Sequence, residues 1–206
     1  MTRSQELVER QQSNLTAAQQ VRFIVESTDG SLSDEDFRRY LVIEEAFVLT
    51  AVRILGLIVA ESTSLDDASD HVMSMSNLVG EQRAYFAGLR EQFPYDGNTE
   101  ELIDSSSVLS RYALGLAQHE GRNAALVAMF AAETLYLSWC RRAMTISTER
   151  EPALQEWIAM HTRPAFAAQV DALAREVDRM DAVDDSTLDR WFEGMLAAEN
   201  EFHDAV

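Results

Sequence analysis

No lysine occurs anywhere in the 206 residues; all 17 basic side chains are arginine. Schiff-base chemistry, a phosphate-loop lysine and a lysine general base are therefore excluded. One cysteine, Cys140, cannot form an internal disulfide and suits a reducing compartment. Proline and glycine are also scarce, at three and eight, so little interrupts a helix. Positive charge is short as well: 17 basic against 35 acidic residues leaves a net charge of −18. Such a surface repels nucleic-acid phosphates and anionic lipid headgroups, so neither is expected as a partner. The longest apolar stretches are cut by Arg53 or Glu133 and fall short of a membrane span. Met1–Arg10 carries no apolar segment of the secretory type. A cytoplasmic location is the expectation.

What the chain does contain is helix-forming. An apolar content of 47% can build a sizeable core. No repeat or linker divides residues 1–206, so one all-α domain of about seven or eight helices is expected. The first helix should cover Ser4–Ser27, followed by a turn at Thr28–Ser31. Ser33 with Asp36, and Ser64 with Asp67, are spaced as helix N-caps. They start helices running to about Glu61 and Phe93. Further helices are expected at Ser105–His119, Asn123–Met144, Glu151–His161, Pro164–Met180 and Ser186–Asp204.

Glu133 is the only charged residue in Asn123–Cys140, a run apolar on nearly every face. A lone carboxylate there costs several kcal/mol unless partnered, and it tends to stay protonated. On the last helix, Leu188, Trp191, Phe192, Met195 and Phe202 form the apolar stripe, and Glu199 falls on it. Glu44 and Glu45 sit between Leu41 and Val48 on a helix whose later turns are apolar nearly all round, so a buried polar pocket is indicated there too. The bland alternatives are a half-hidden helix end and an amphipathic helix edge. Tyr136 shares the face of Glu133 and is placed to bond a ligand. Cys140 reads as a small buried hydrophobe, and Met73–Met75 as core packing. His161 follows Trp157 and Ile158 at helical spacing, which turns it inward. His71, His119 and His203 are scattered, with no tight metal motif.

These residues together resemble the TenA/thiaminase II family from about Asp29 to the C-terminus. The shared order is Gly30–Leu41 running into an acidic position, an alanine-rich helix, Glu156–Trp157–Ile158, and a closing Glu199–x–x–Phe202. The resemblance implies a haem-oxygenase-like helical fold, assembled as a tetramer or dimer. It also implies hydrolysis of a 4-aminopyrimidine related to the thiamin precursor. Ala132 stands where many members carry a cysteine nucleophile. Phe130–Tyr136 looks like the branch that uses a glutamate one position later, which puts Glu133 in that role. By the same resemblance Glu199 matches the C-terminal catalytic acid, Glu45 the acid that holds the aminopyrimidine edge, and Tyr136 a tyrosine of the central helix. Three positions depart from the pattern: His161 replaces a tyrosine, Val48 an aromatic (with Phe47 beside it), and Leu109 another tyrosine.

The expected function is thus a metal-free, cofactor-free hydrolase in thiamin pyrimidine salvage. Its substrate would be an amino- or formamido-pyrimidine. Glu133 and Glu199 would act as the acid–base pair, while Glu45, Phe47, Tyr136 and His161 would hold the ring. Two rivals share the scaffold: a non-haem iron oxidase or quinone-cofactor synthase, and a binding protein without turnover.

Overall fold

The computed structural model describes all residues, 1–206, and contains helices and no strands. In chain order the helices are α1 (Arg3–Arg10), α2 (Gln12–Ala18), α3 (Arg22–Asp29), α4 (Asp34–Ala60) and α5 (Leu65–Asn77). A π-helical turn at Leu78–Gln82 joins α5 to α6 (Arg83–Gln92). Then come α7 (Thr99–Ser105), α8 (Ser107–His119), α9 (Arg122–Thr145), α10 (Pro152–Met160), α11 (Pro164–Asp178) and α12 (Asp185–His203).

The all-α class stands, but with more and shorter helices than expected. The N-terminal segment is three helices rather than one, because Gln11 and Gln19–Val21 leave helical geometry. Gln11 is buried, and its side-chain oxygen accepts from Asn14 at 2.8 Å, so the break is itself packed. α7 was not foreseen; Asn98 caps it by accepting from the Glu101 amide. The last helix starts one residue earlier than expected, because Asp184 rather than Ser186 accepts from the Thr187 amide, at 2.9 Å. Ser33 and Ser64 cap as expected, on the amides of Asp36 and Asp67.

α9 is the axis of the molecule. It packs against α3, α4, α8, α10, α11 and α12. Every residue from Ala124 to Ala132 is buried. Six alanines between Ala124 and Ala143 let the neighbouring helices approach its backbone closely, so polarity on all faces would be costly. α4 runs beside it, covered by α5, α6, α7 and α8, while α12 closes the bundle against α8 and α9. Trp139, Trp157, Tyr40, Phe23, Phe37, Phe192 and Phe202 fill the centre with almost no exposure.

Arg150 ties three helix ends together. Its guanidinium donates to the carbonyls of Ser27 (2.9 Å), Ala143 (3.0 Å) and Thr28, and to the Gln155 side chain at 2.9 Å. The Ser27 and Thr28 carbonyls at the C-terminal end of α3 lack intrahelical partners, and this one side chain supplies them, while the Ala143 carbonyl of α9 accepts from it and from the Ile146 amide. Gly30 beside it has φ +84, and a Cβ there would collide with the Glu149 carbonyl. Only glycine fits that turn.

Candidate functional site

Three carboxyl groups meet in one cavity of about 100 Å³. Glu44 comes from the middle of α4, Glu133 from the middle of α9, and Glu199 from the last turns of α12. Phe47, Val48, Leu109, Tyr136, His161 and Phe166 supply the apolar and aromatic wall. Ser74, Asn77, Gln82 and Gln169 bring polar groups to one side, from α5, the π turn and α11. Lysine is absent from the chain, and no arginine lines the cavity, so nothing there neutralises the acids.

The three acids are held differently. Glu44 Oε2 accepts from the Tyr40 hydroxyl at 3.0 Å. Glu133 Oε1 accepts from Gln169 Nε2 at 3.1 Å. Glu199 is 1% exposed, and its Oε2 has no partner at all. Their acidities separate accordingly. Burial raises Glu44 to about 7, with the Tyr40 bond pulling the other way. Burial, with the charge of Glu44 added, raises Glu133 to about 8. Glu199 lies well above the usual range, through burial first and then Glu44 and Glu133. Like charges in a dry site titrate in sequence rather than together. Near neutral pH, therefore, Glu44 is the first of the three to ionise, and Glu199 keeps its proton.

Two buried histidines remain neutral. His161 Nδ1 lies 2.8 Å from the Trp157 carbonyl, which can only accept, so Nδ1 carries the hydrogen. Its Nε2 is then a bare acceptor on a ring that lines the cavity. Burial lowers its pKa to about 4. His203 is lowered to about 3, again by burial, and its Nε2 is 3.1 Å from the Tyr136 hydroxyl. Tyr136 also meets the Tyr40 hydroxyl at 3.4 Å. A hydroxyl chain thus links Glu44 through Tyr40 and Tyr136 to His203.

The structure places Glu133 and Glu199 on the lining of one cavity, together with Phe47, Tyr136 and His161. Glu45 is not among them. Its carboxylate points away and pairs with Arg90 at 2.9 Å, while Glu44 takes the cavity position. Adjacent residues on a helix lie about 100° apart, so only one of the two can face inward. Val48 and Leu109, the departures noted in the sequence, both line the wall. Cys140 is fully buried and outside the lining, with burial holding its thiol well up. It is packing. Met73 is 62% exposed and so is not core; Met75 does pack against it.

Sequence reading missed Gln169, Tyr40 and His203. Gln169 had no signal beyond being a polar residue in the alanine-rich α11. Tyr40 and His203 did have one: each stands four residues from a pocket acid, Glu44 and Glu199, on the same helix face.

A helical bundle whose central helices enclose an acid-lined cavity defines the class: an all-α protein with a buried carboxyl cluster. The model of the TENA/THI-4/PQQC family matches residues 22–205, and the chain belongs to that family. No curated protein matches it. Among solved structures, a TenA homologue from Pyrococcus furiosus superposes with a TM-score of 0.82 at 18% identity, covering 98% of each chain. A TenA family transcription regulator from a Silicibacter species gives 0.81 at 17%, over 97% of this chain and 94% of that one. A protein described as a TenA-like thiaminase from Sulfolobus solfataricus gives 0.74 at 18%, over 98% and 93%. At these identities the likeness shows a shared fold.

Proposed function

We propose that the protein is a metal-free hydrolase that breaks a C–N bond on an amino- or formamido-substituted pyrimidine of the thiamin-precursor type. The observation that carries this is the convergence of Glu44, Glu133 and Glu199, from three distant helices, in one buried cavity with an aromatic wall. Membership of the family supports thiamin-related chemistry in broad terms.

Glu44, the most readily ionised of the three, holds the ring. Its carboxyl accepts from the exocyclic amino group and shares a proton with the adjacent ring nitrogen, a charge-assisted pair. Phe47 and Tyr136 pack against the ring, and the bare Nε2 of His161 accepts from a ligand N–H. Glu133, oriented by Gln169 and ionised as the pH approaches 8, takes a proton from the attacking water. Glu199 keeps its proton in the apolar site and gives it to the departing nitrogen. Separated acidities in one cavity supply a base and an acid at the same pH.

An iron-site reading has no cluster of ligands to rest on. His71, His161 and His203 are turned to Glu176, the Trp157 carbonyl and Tyr136, and no group of three or more His, Cys, Asp or Glu is arranged for a metal. Binding without turnover is the second reading, favoured by His161, Val48 and Leu109 on the wall. One experiment separates the two. The protein is incubated with aminomethyl- and formamidomethyl-pyrimidines, and ammonia and formate are followed alongside melting temperature. Release of either supports the hydrolase; stabilisation with no release supports the binding protein.

A further inference from the structure

The carboxyl cavity is the smaller part of a larger cleft. A second chamber, of about 250 Å³, adjoins it between α4, α5, α9 and α11. The two share Leu55, Ser74, Asn77, Met129 and Gln169 on their linings. Gln169 therefore stands at the junction, donating inward to Glu133. The outer end opens past Met73, Ala165 and Ala168, all exposed. Ala165, Ala168 and Ala172 follow one face of α11 and leave the width of the chamber unfilled.

Charge decides what this chamber holds. Its two titratable residues, Asp70 and His71, are already partnered: Asp70 with Arg175 at 3.3 Å, and His71 with the buried Glu176, which Arg122 also contacts. No free cation awaits a carboxylate there and no free anion awaits an ammonium. The rest of the lining is methionine, leucine and alanine with serine and amide groups. A ring seated against Glu44 and Glu133 would direct a substituent through the Ser74–Asn77–Gln169 junction into this space. A formyl group would leave it nearly empty.

We propose that the outer chamber is a subsite for an uncharged acyl group larger than formyl, carried on the substrate's aminomethyl nitrogen; this rests on the hydrolase reading. Water gives a proton to Glu133 as its oxygen adds to the acyl carbon, whose carbonyl oxygen accepts from the Asn77 amide at the junction. The C–N bond then breaks, the nitrogen takes a proton from Glu199, and the products are the free amine and a carboxylic acid. Ala168 is a specificity-determining position, which lines the outer chamber and not the carboxyl cavity.

The test compares N-formyl, N-butyryl and N-succinyl derivatives of an aminomethyl-aminopyrimidine on the wild type and on Ala168→Phe. In parallel, the unreactive N-butyl amine is used for melting shifts. On the wild type, N-butyryl should match or exceed N-formyl in kcat/KM, and anionic N-succinyl should be about tenfold poorer. Ala168→Phe should cost N-butyryl about tenfold, through KM, while N-formyl stays within about twofold. Hydrolysis of N-formyl alone, or N-butyryl indifferent to Ala168→Phe, overturns the subsite and keeps the hydrolase. No turnover of any derivative, with a melting shift by the N-butyl amine that Ala168→Phe abolishes, overturns the hydrolase and keeps the subsite. Neither turnover nor shift overturns both.

Discussion

Replacing either Glu133 or Glu199 by glutamine keeps the shape and removes the ability to exchange a proton. Turnover on a pyrimidine substrate should fall by about 10²-fold or more for each. The melting temperature should hold for Glu199→Gln, whose carboxyl is already neutral. It should hold or rise for Glu133→Gln as the pH climbs towards 8, since the amide cannot ionise in the buried cavity. Turnover within about threefold of wild type in both variants would refute their acid–base roles. Stability should also report the raised carboxyls directly. The folded protein holds Glu44 and Glu133 protons up to about 7 and about 8, whereas the unfolded chain releases them near ordinary carboxylate values. Between those limits the folded state binds more protons, so these groups lose stability as pH rises from about 5 to 8. The slope approaches about 1.4 kcal/mol per pH unit for each fully shifted group, which is an upper bound for a cavity-facing acid. Denaturant melts of the wild type and Glu133→Gln across that range should show a shallower decline in the variant. Parallel curves would remove the shifted acid. Tyr40→Phe removes the one bond that favours ionised Glu44, so the lower limb of the pH–rate profile should move to higher pH.

Among the elements, α9 was the most legible in the sequence, and the N-terminal segment the least. An isolated charge in a run apolar on all faces can only be central, and Glu133 is. Breaks at Gln11 and Gln19–Val21 carry no glycine or proline, so nothing local announces them; packing against α11 and α12 sets them. The α3–α4 turn is the reverse case, marked by Thr28–Asp29–Gly30–Ser31. Gly30→Ala should destabilise by about 1–2 kcal/mol or more, from the left-handed backbone plus the collision with the Glu149 carbonyl. Arg150→Ala leaves helix-end carbonyls unserved and should cost about 2 kcal/mol or more, read as a lowered denaturation midpoint at constant m-value. A change below about 0.5 kcal/mol would mean water replaces the guanidinium without loss.

At the scale of the molecule, a net charge of −18 repels itself within a compact body. Raising salt from about 20 to 300 mM shortens the screening length severalfold and should raise the melting temperature by a few degrees. A flat or falling curve would show that the surface arginine–carboxylate pairs outweigh the repulsion. No helix is long and apolar enough to cross a membrane.

Composition and periodicity determined an all-helical body and two of the acids, because each of those is a property of one helix read along its own length, while the order of motifs along the chain carried the family resemblance. The choice of Glu44 over Glu45 was decided only in three dimensions. α4 is apolar nearly all round near that point, so its facing depends on neighbours the local pattern does not contain. The order in which the acids give up protons was decided there too. It follows from burial, the Tyr40 bond and mutual repulsion, and the three acids reach one another only when residues far apart in the chain are packed into the same buried space.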